Sequence, residues 1–204
     1  MTRALAGRAL IAVLLVALGA TAALLAAGRG GEQDRPAGKV EIGFAQDMIA
    51  HHAQAVTLTQ AVLGGDPGDS VAQLATGMQL AQLREIGQLE GFLTLWEAPH
   101  IGADPPMSWM ETHPHSADAP MPGLATPDEI DAFADLKGEA LEARFLQLMI
   151  RHHQGGVLMA DAAARRAAHP AVRTLALHMS AAQRKETATM TALLAALGAE
   201  PLPA

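Results

Sequence analysis

The sequence predicts an all-α protein: a four-helix bundle of two duplicated antiparallel helix hairpins joined by a long proline-rich crossover. Three observations lead there. Half of the residues are hydrophobic but only 3% are aromatic, and this Ala- and Leu-rich bias favours close-packed helices over strands, which prefer β-branched and aromatic side chains. Apolar residues recur at three- and four-residue steps, the spacing of one helix face. A long stretch also repeats itself 101 positions later without a gap. Phe44, Met48, Ile49, His51, His52 and Val56 return as Phe145, Met149, Ile150, His152, His153 and Val157. Further on, Val71, Leu74, Met78, Gln82, Glu85 and Leu93 return as Val172, Leu175, Met179, Gln183, Glu186 and Leu194.

Taken in order, residues 1–30 stand apart from the bundle. Arg3 and Arg8 precede an apolar run over 9–27, the pattern of an export signal with Ala20, Thr21 and Ala22 as one cleavage site. The run also approaches the ~20 residues needed to span a bilayer, so a retained membrane anchor fits equally. Either way the protein is expected outside the cytoplasm. Residues 31–39 read as a linker, and 40–204 as the bundle domain. The first repeat, 40–97, carries a helical stripe through Phe44, Met48, Ala55, Leu58 and Val62. Gly64, Gly65, Pro67 and Gly68 stop that helix, with Asp69 and Ser70 placed to cap the next. The second helix follows Val71, Leu74, Met78, Leu89 and Leu93 and ends before Pro99. Residues 98–139 form the crossover, where Pro99, Pro105, Pro106, Pro114, Pro120 and Pro122 forbid a regular helix until Thr126 and Pro127 open a short one. Gly138 separates it from the second repeat, 140–198, whose turn falls at Ala168, His169 and Pro170. Short turns make each pair antiparallel, and two pairs make a bundle.

Composition removes several function classes. A net charge of −7 without any Lys/Arg cluster argues against nucleic acid. The absence of cysteine excludes disulfides, thiolate metal sites and a Cys nucleophile. Ser70, Ser108, Ser116 and Ser180 occupy no Gly-x-Ser-x-Gly setting, and no glycine-rich phosphate loop occurs, so catalysis is not expected.

The matched His pairs point elsewhere. The first turn centres between Asp66 and Pro67, which sets His51 and His52 level with Gln82, and Met48 level with Glu85, to within one turn of ~5.4 Å. His152, His153, Gln183, Met149 and Glu186 stand likewise. Burying such groups without partners costs ~2–7 kcal/mol each. Two readings meet that cost. In one, the imidazoles, with Met48 and Met149, bind a metal while Gln82, Glu85, Gln183 and Glu186 orient the rings. In the other, the same groups bond across the core and fix helix register. Because adjacent residues lie ~100° apart on a helix, one His of each pair should face inward and the other the rim or a neighbouring helix. Di-iron bundles use Glu-x-x-His on their helices, a pattern missing from these four, whereas imidazole with thioether sulfur suits copper, especially cuprous ion. In the crossover, His100, Met107, Met110, His113, His115 and Met121 suggest either a soft-metal capture loop, with His113 and His115 as its chelating element, or methionines that plug the bundle end, with Trp109 as cover.

These motifs, together with Met121, Pro122 and Gly123 and the Gln-x-x-Glu at 82–85 and 183–186, resemble the domain of unknown function 305 family over about residues 40–198. The resemblance implies a ferritin-like, exported helical bundle, with copper binding in some members. It also implies a site of His51, His52, His152 and His153 surrounded by Met48, Met149, Gln82, Glu85, Gln183 and Glu186. Two departures stand out: Leu148 replaces Asp47, making the half-sites unequal, and Thr187 replaces Ile86. The expected function is therefore extracytoplasmic binding, buffering or transfer of copper or another transition metal. The rivals are a metal-free helical module for an envelope partner and a ferritin-like metal oxidase.

Overall fold

The computed structural model describes residues 36–110 and 121–202. Five helices and no strand occur among them: α1 (Lys39–Gly64), α2 (Asp69–Leu95), α3 (Pro127–Ala134), α4 (Gly138–Arg166) and α5 (Pro170–Ala196). The protein is all-α, as the periodicity predicts. The punctuation acts where expected at most ends. Thr126 caps α3, its hydroxyl accepting from the Glu129 N–H, with Pro127 at the first position. Gly138 opens α4 at φ +58°, a left-handed conformation that glycine adopts without strain. His169 caps α5 through Nδ1, which accepts from the Ala171 N–H at 3.2 Å.

The start of α2 differs from expectation. Asp69 and Ser70 make no cap; Gly68 holds that position without a side-chain bond, and its N–H donates at 2.9 Å to Glu142 at the start of α4. Glu41, early in α1, does the corresponding service for α5, accepting from the Ala168 and His169 N–H groups. Burial alone would raise the Glu41 carboxyl, but the N–H groups of His169, Glu41 itself, Ala168 and Gly38 lower it overall. Glu142 stands in for a missing local cap at α2, Glu41 adds to the His169 cap at α5, and both complement the positive helix N-termini.

They also fix the topology. The start of α1 lies against the end of α4, and the end of α1 against the start of α4. So α1 and α4 run antiparallel, while each packs on its own hairpin partner, α2 or α5. Gln46 ties α1 to the end of its hairpin through the Pro99 carbonyl, and Gln147 ties α4 to the Glu200 carbonyl.

Apolar side chains form two cores. One gathers Phe44, Met48, Leu89, Leu93, Met159, Val172 and Met179; the other gathers Leu58, Val62, Met78, Phe145, Leu148, Met149 and Leu194. Each large side chain so buried contributes ~1.5–3 kcal/mol. The crossover adds to the first core. Met107, Trp109 and Met110 are buried there as a plug in that core; Met121 packs against the same core, half-buried. Asp47 fastens this plug, accepting from the Met107 N–H at 2.7 Å and the Trp109 Nε1–H at 2.8 Å. Gly43 admits the indole, since a Cβ there would lie 2.7 Å from Trp109 Cδ1. His100 is exposed beyond α2, and His113 and His115 lie outside the described residues. No helix among the described residues is long and apolar enough to cross a membrane; the apolar run 9–27 is not among them.

Candidate metal centre

Between the two cores lies a polar layer built where α1 crosses α4. His51 and His152 meet there with ring centroids 3.8 Å apart. His52 and His153 flank them, 6.4 Å from His51 and 6.2 Å from His152 respectively. All four rings are at most 1% exposed. Of the two places left open for the outer member of each pair, the structure takes the neighbouring helix: His51 and His152 make the contact between hairpins, and His52 and His153 turn onto α2 and α5.

Each ring is held by one nitrogen. His51 Nε2–H donates to the Pro122 carbonyl at 3.0 Å, and His152 Nε2–H donates to the His51 carbonyl at 2.9 Å. His52 Nε2 bonds Glu85 Oε2 at 2.9 Å, and His153 Nε2 bonds Glu186 Oε2 at 2.7 Å. A carbonyl can only accept, so the proton on His51 and on His152 sits on Nε2. Burial, and next the charge of His52, push His51 down to about 3; burial, and next His51, hold His152 well below the ordinary imidazole range. Both rings are therefore neutral at pH 7, with a lone pair on Nδ1. The Nδ1 atoms of all four rings are buried and accept nothing.

The remaining sequence-predicted residues divide. Glu85 and Glu186 reach the layer as ring holders. Gln82 and Gln183 are buried beside it, each with an unpartnered Oε1. Gln183 occupies space that a Cβ on Gly156 would fill. Met48 and Met149 are fully buried one turn before their His pairs, in opposite cores. The ten residues do not converge on a single point: among the described residues no three His, Asp or Glu groups could share one ion. The layer brings together His51 and His152, flanked by His52 and His153, with Met48 and Met149 buried in the cores on either side.

Several neighbours of the layer escaped the sequence reading. Met78 and Met179, one turn before Gln82 and Gln183, join Met149 and Met48 in their respective cores; their match across the repeat was the available signal. The carbonyls of Pro122 and His51 carry no side-chain signature at all. Leu148, equivalent to Asp47, is buried in the second core, and Asp47 itself serves the crossover rather than the layer.

The comparisons agree with this architecture. The family model described as "Domain of unknown function (DUF305)" matches residues 41–194. A DUF305 protein from Streptomyces coelicolor, named as secreted, is 36% identical, with 81% of this chain and 98% of that one covered and a TM-score of 0.75. A DUF305 fragment from Deinococcus radiodurans is 35% identical over 79% of this chain and 99% of that one, with a TM-score of 0.65. CopM in its Cu(I)-bound form shares the fold at 22% identity, over 76% of this chain and 96% of that one, with a TM-score of 0.58; Cu(II)-bound and Ag-bound forms of CopM match similarly. No curated protein matches the chain.

Proposed function

Since the chain belongs to the DUF305 family, we propose that it is an exported protein that binds a soft metal ion, copper foremost, and buffers it or passes it on. The observation that carries this reading is the set of four buried, unpartnered Nδ1 atoms. A metal-ligating histidine typically donates its other ring N–H to a carboxylate or a backbone carbonyl, which fixes the tautomer. All four rings already make that bond, two to carbonyls and two to glutamates. The lone pairs left over would otherwise stay desolvated without return. In this reading His51, His52, His152 and His153 hold metal in pairs, while Met48, Met149, Met78 and Met179 supply thioethers nearby. Glu85 and Glu186 orient rings, and Gln82 and Gln183 keep polar oxygens within the layer. Few nitrogens with sulfur suit Cu(I) or Ag(I), the ions carried by two of the CopM forms. The absence of a three-ligand His/Asp/Glu group among the described residues gives a di-iron-type oxidase no support.

Metal analysis of untagged full-length protein tests the reading. Copper should copurify or load stoichiometrically, and His51→Ala with His152→Ala should abolish it. Because a ligand specific for the native state stabilises by ~2.7 kcal/mol at 100 times its Kd, loading should also raise the Tm of the parent and not of the double variant. An unchanged Tm with Cu(I), Cu(II) and Ag(I) would leave only a helical scaffold.

A further inference from the structure

Nothing can enter a layer whose four rings are at most 1% exposed unless part of the fold moves. Three of the rings are tied to helix elements: His152 to the backbone of α1, His52 to α2 and His153 to α5. His51 alone is tied to a non-helical segment, through the Pro122 carbonyl. That segment, residues 121–125, passes over the α1/α4 crossing. Its own backbone contributes a single turn bond, Leu124 N–H to the Met121 carbonyl at 3.4 Å. It is held down mainly by side chains from the helices beneath. Gln54 bonds the Ala125 backbone twice, donating to its carbonyl at 2.9 Å and accepting from its N–H at 2.7 Å. Arg151 donates to the Leu124 carbonyl at 3.3 Å and is itself paired with Glu129 of α3, at 3.0 Å from its Nη1.

The segment lies so close that only glycine fits on both faces. A Cβ on Gly155 would collide with the Pro122 carbonyl, and one on Gly123 with the Arg151 carbonyl. Gly123 also holds φ +79°, which disfavours any side chain there. At the position equivalent to Gly155, the first hairpin has Gln54. The first hairpin thus supplies Gln54 as a latch, and the second supplies the vacant surface together with the Arg151 bond. Met121, half-buried, offers a thioether at the outer end of the segment, next to the carbonyl that holds His51.

We propose that residues 121–125 form a strap that positions His51, by fixing its proton on Nε2, and that its lifting is the step that opens the histidine layer. The proposal rests on the metal-binding reading for its purpose but not for its geometry, so its test begins without metal. In the full-length, metal-free protein, 15N spectra should show His51 as a single Nε2–H tautomer, and diethyl pyrocarbonate should modify it slowly. Gly155→Ala, which leaves a good helix former in α4, and Gln54→Ala, which only undoes the latch, should each give His51 mixed tautomers and at least tenfold faster modification. His52 and His153 should keep their spectra. Bound Ag(I) should then leave both variants at least tenfold faster than the parent. An unaltered His51 spectrum and modification rate in both variants would overturn the proposal, as would equal changes at all four histidines. Failure of Ag(I) to bind any of the proteins would instead remove the metal reading and leave the strap to be judged by the first two measurements.

Discussion

The two hairpins share several bonds at equivalent positions and differ chiefly where the crossover touches them. Gln46 and Gln147 each reach a carbonyl 53 residues on; His52 and His153 each bond a glutamate 33 residues on. Glu41 and Glu142 each cap a helix of the other hairpin. Three differences concern the crossover. Asp47 fastens Met107 and Trp109 where the second hairpin has buried Leu148; Gln54 latches the strap where the second has Gly155; and Arg151, holding Leu124 and Glu129, stands where the first has Ala50. A fourth stays inside the second hairpin, where Asp161 accepts from Ser180 and Arg184 and the first has Gln60, Gln79 and Leu83. What the hairpins share holds His52 and His153 in the histidine layer, and three of the residues they do not share secure the chain that runs between them. The inequality of Asp47 and Leu148, which from sequence cast doubt on symmetric half-sites, therefore falls outside the layer.

Exchanging residues across the hairpins should break this division most sharply. Leu148→Asp, which copies the acid of the first hairpin into the second core, buries a carboxyl with no crossover to accept from, and should cost about 3–5 kcal/mol. Asp47→Ala leaves the Trp109 and Met107 N–H groups stranded in a buried plug, at about 1–3 kcal/mol. Denaturant unfolding of both variants decides it; equal losses would mean that the acid has no special tie to the crossover.

An acid titration examines what the hairpins share. His51 and His152 have depressed folded-state pKa values, with His51 at about 3, so the unfolded chain binds more protons than the native one below the ordinary histidine pKa. Metal-free protein should therefore hold constant stability above about pH 6.5. Below that it should lose as much as ~1.4 kcal/mol per pH unit for each ring that stays neutral in the native state, the His51 contribution running down to about pH 3. Glu129, pulled down to about 2 chiefly by its bond from Arg151, adds a later loss as pH drops from its ordinary value through 2. Replacing both His51 and His152 with Gln should flatten the earlier loss and spare the later one.

The smallest contrast separates the two long-range caps. Glu41 is buried and takes the N–H groups of Ala168, His169 and Gly38, whereas Glu142 is half-buried and takes one, from Gly68. Glu41→Ala should lower stability by about 1–2 kcal/mol and Glu142→Ala by a few tenths. The reverse order, read from thermal melts, would contradict the cap assignment.

Much of this was legible beforehand because helices announce themselves locally. The stripe from Phe44 to Val62, the glycines after α1 and the Thr126–Pro127 start all act through neighbours three or four residues away. The layer itself was legible through His51, His52, Gln82 and Glu85, since a short turn fixes what stands level across a hairpin. Other features depend on contacts that no local pattern encodes. The cap on α2 comes from Glu142, far along the chain, so Asp69 and Ser70 misled. Met107 and Met110 sit in a segment of prolines that reads as exposed loop, and only Asp47 and Gly43, remote in sequence, draw it into the core. The crossing of α1 on α4, which decides that His51 faces His152 while His52 faces Glu85, follows from how the two hairpins dock.

Four buried imidazoles, each held through Nε2, leave their Nδ1 atoms to a metal inside one layer. Histidine 15N spectra of the full-length protein, recorded before and after one equivalent of Ag(I), test it most directly. Nδ1 resonances of His51 and His152 should move on loading while their Nε2 protons stay bonded to the carbonyls of Pro122 and His51. Nδ1 resonances that stay put under excess Ag(I), or ions that bind only outside the layer, would contradict it.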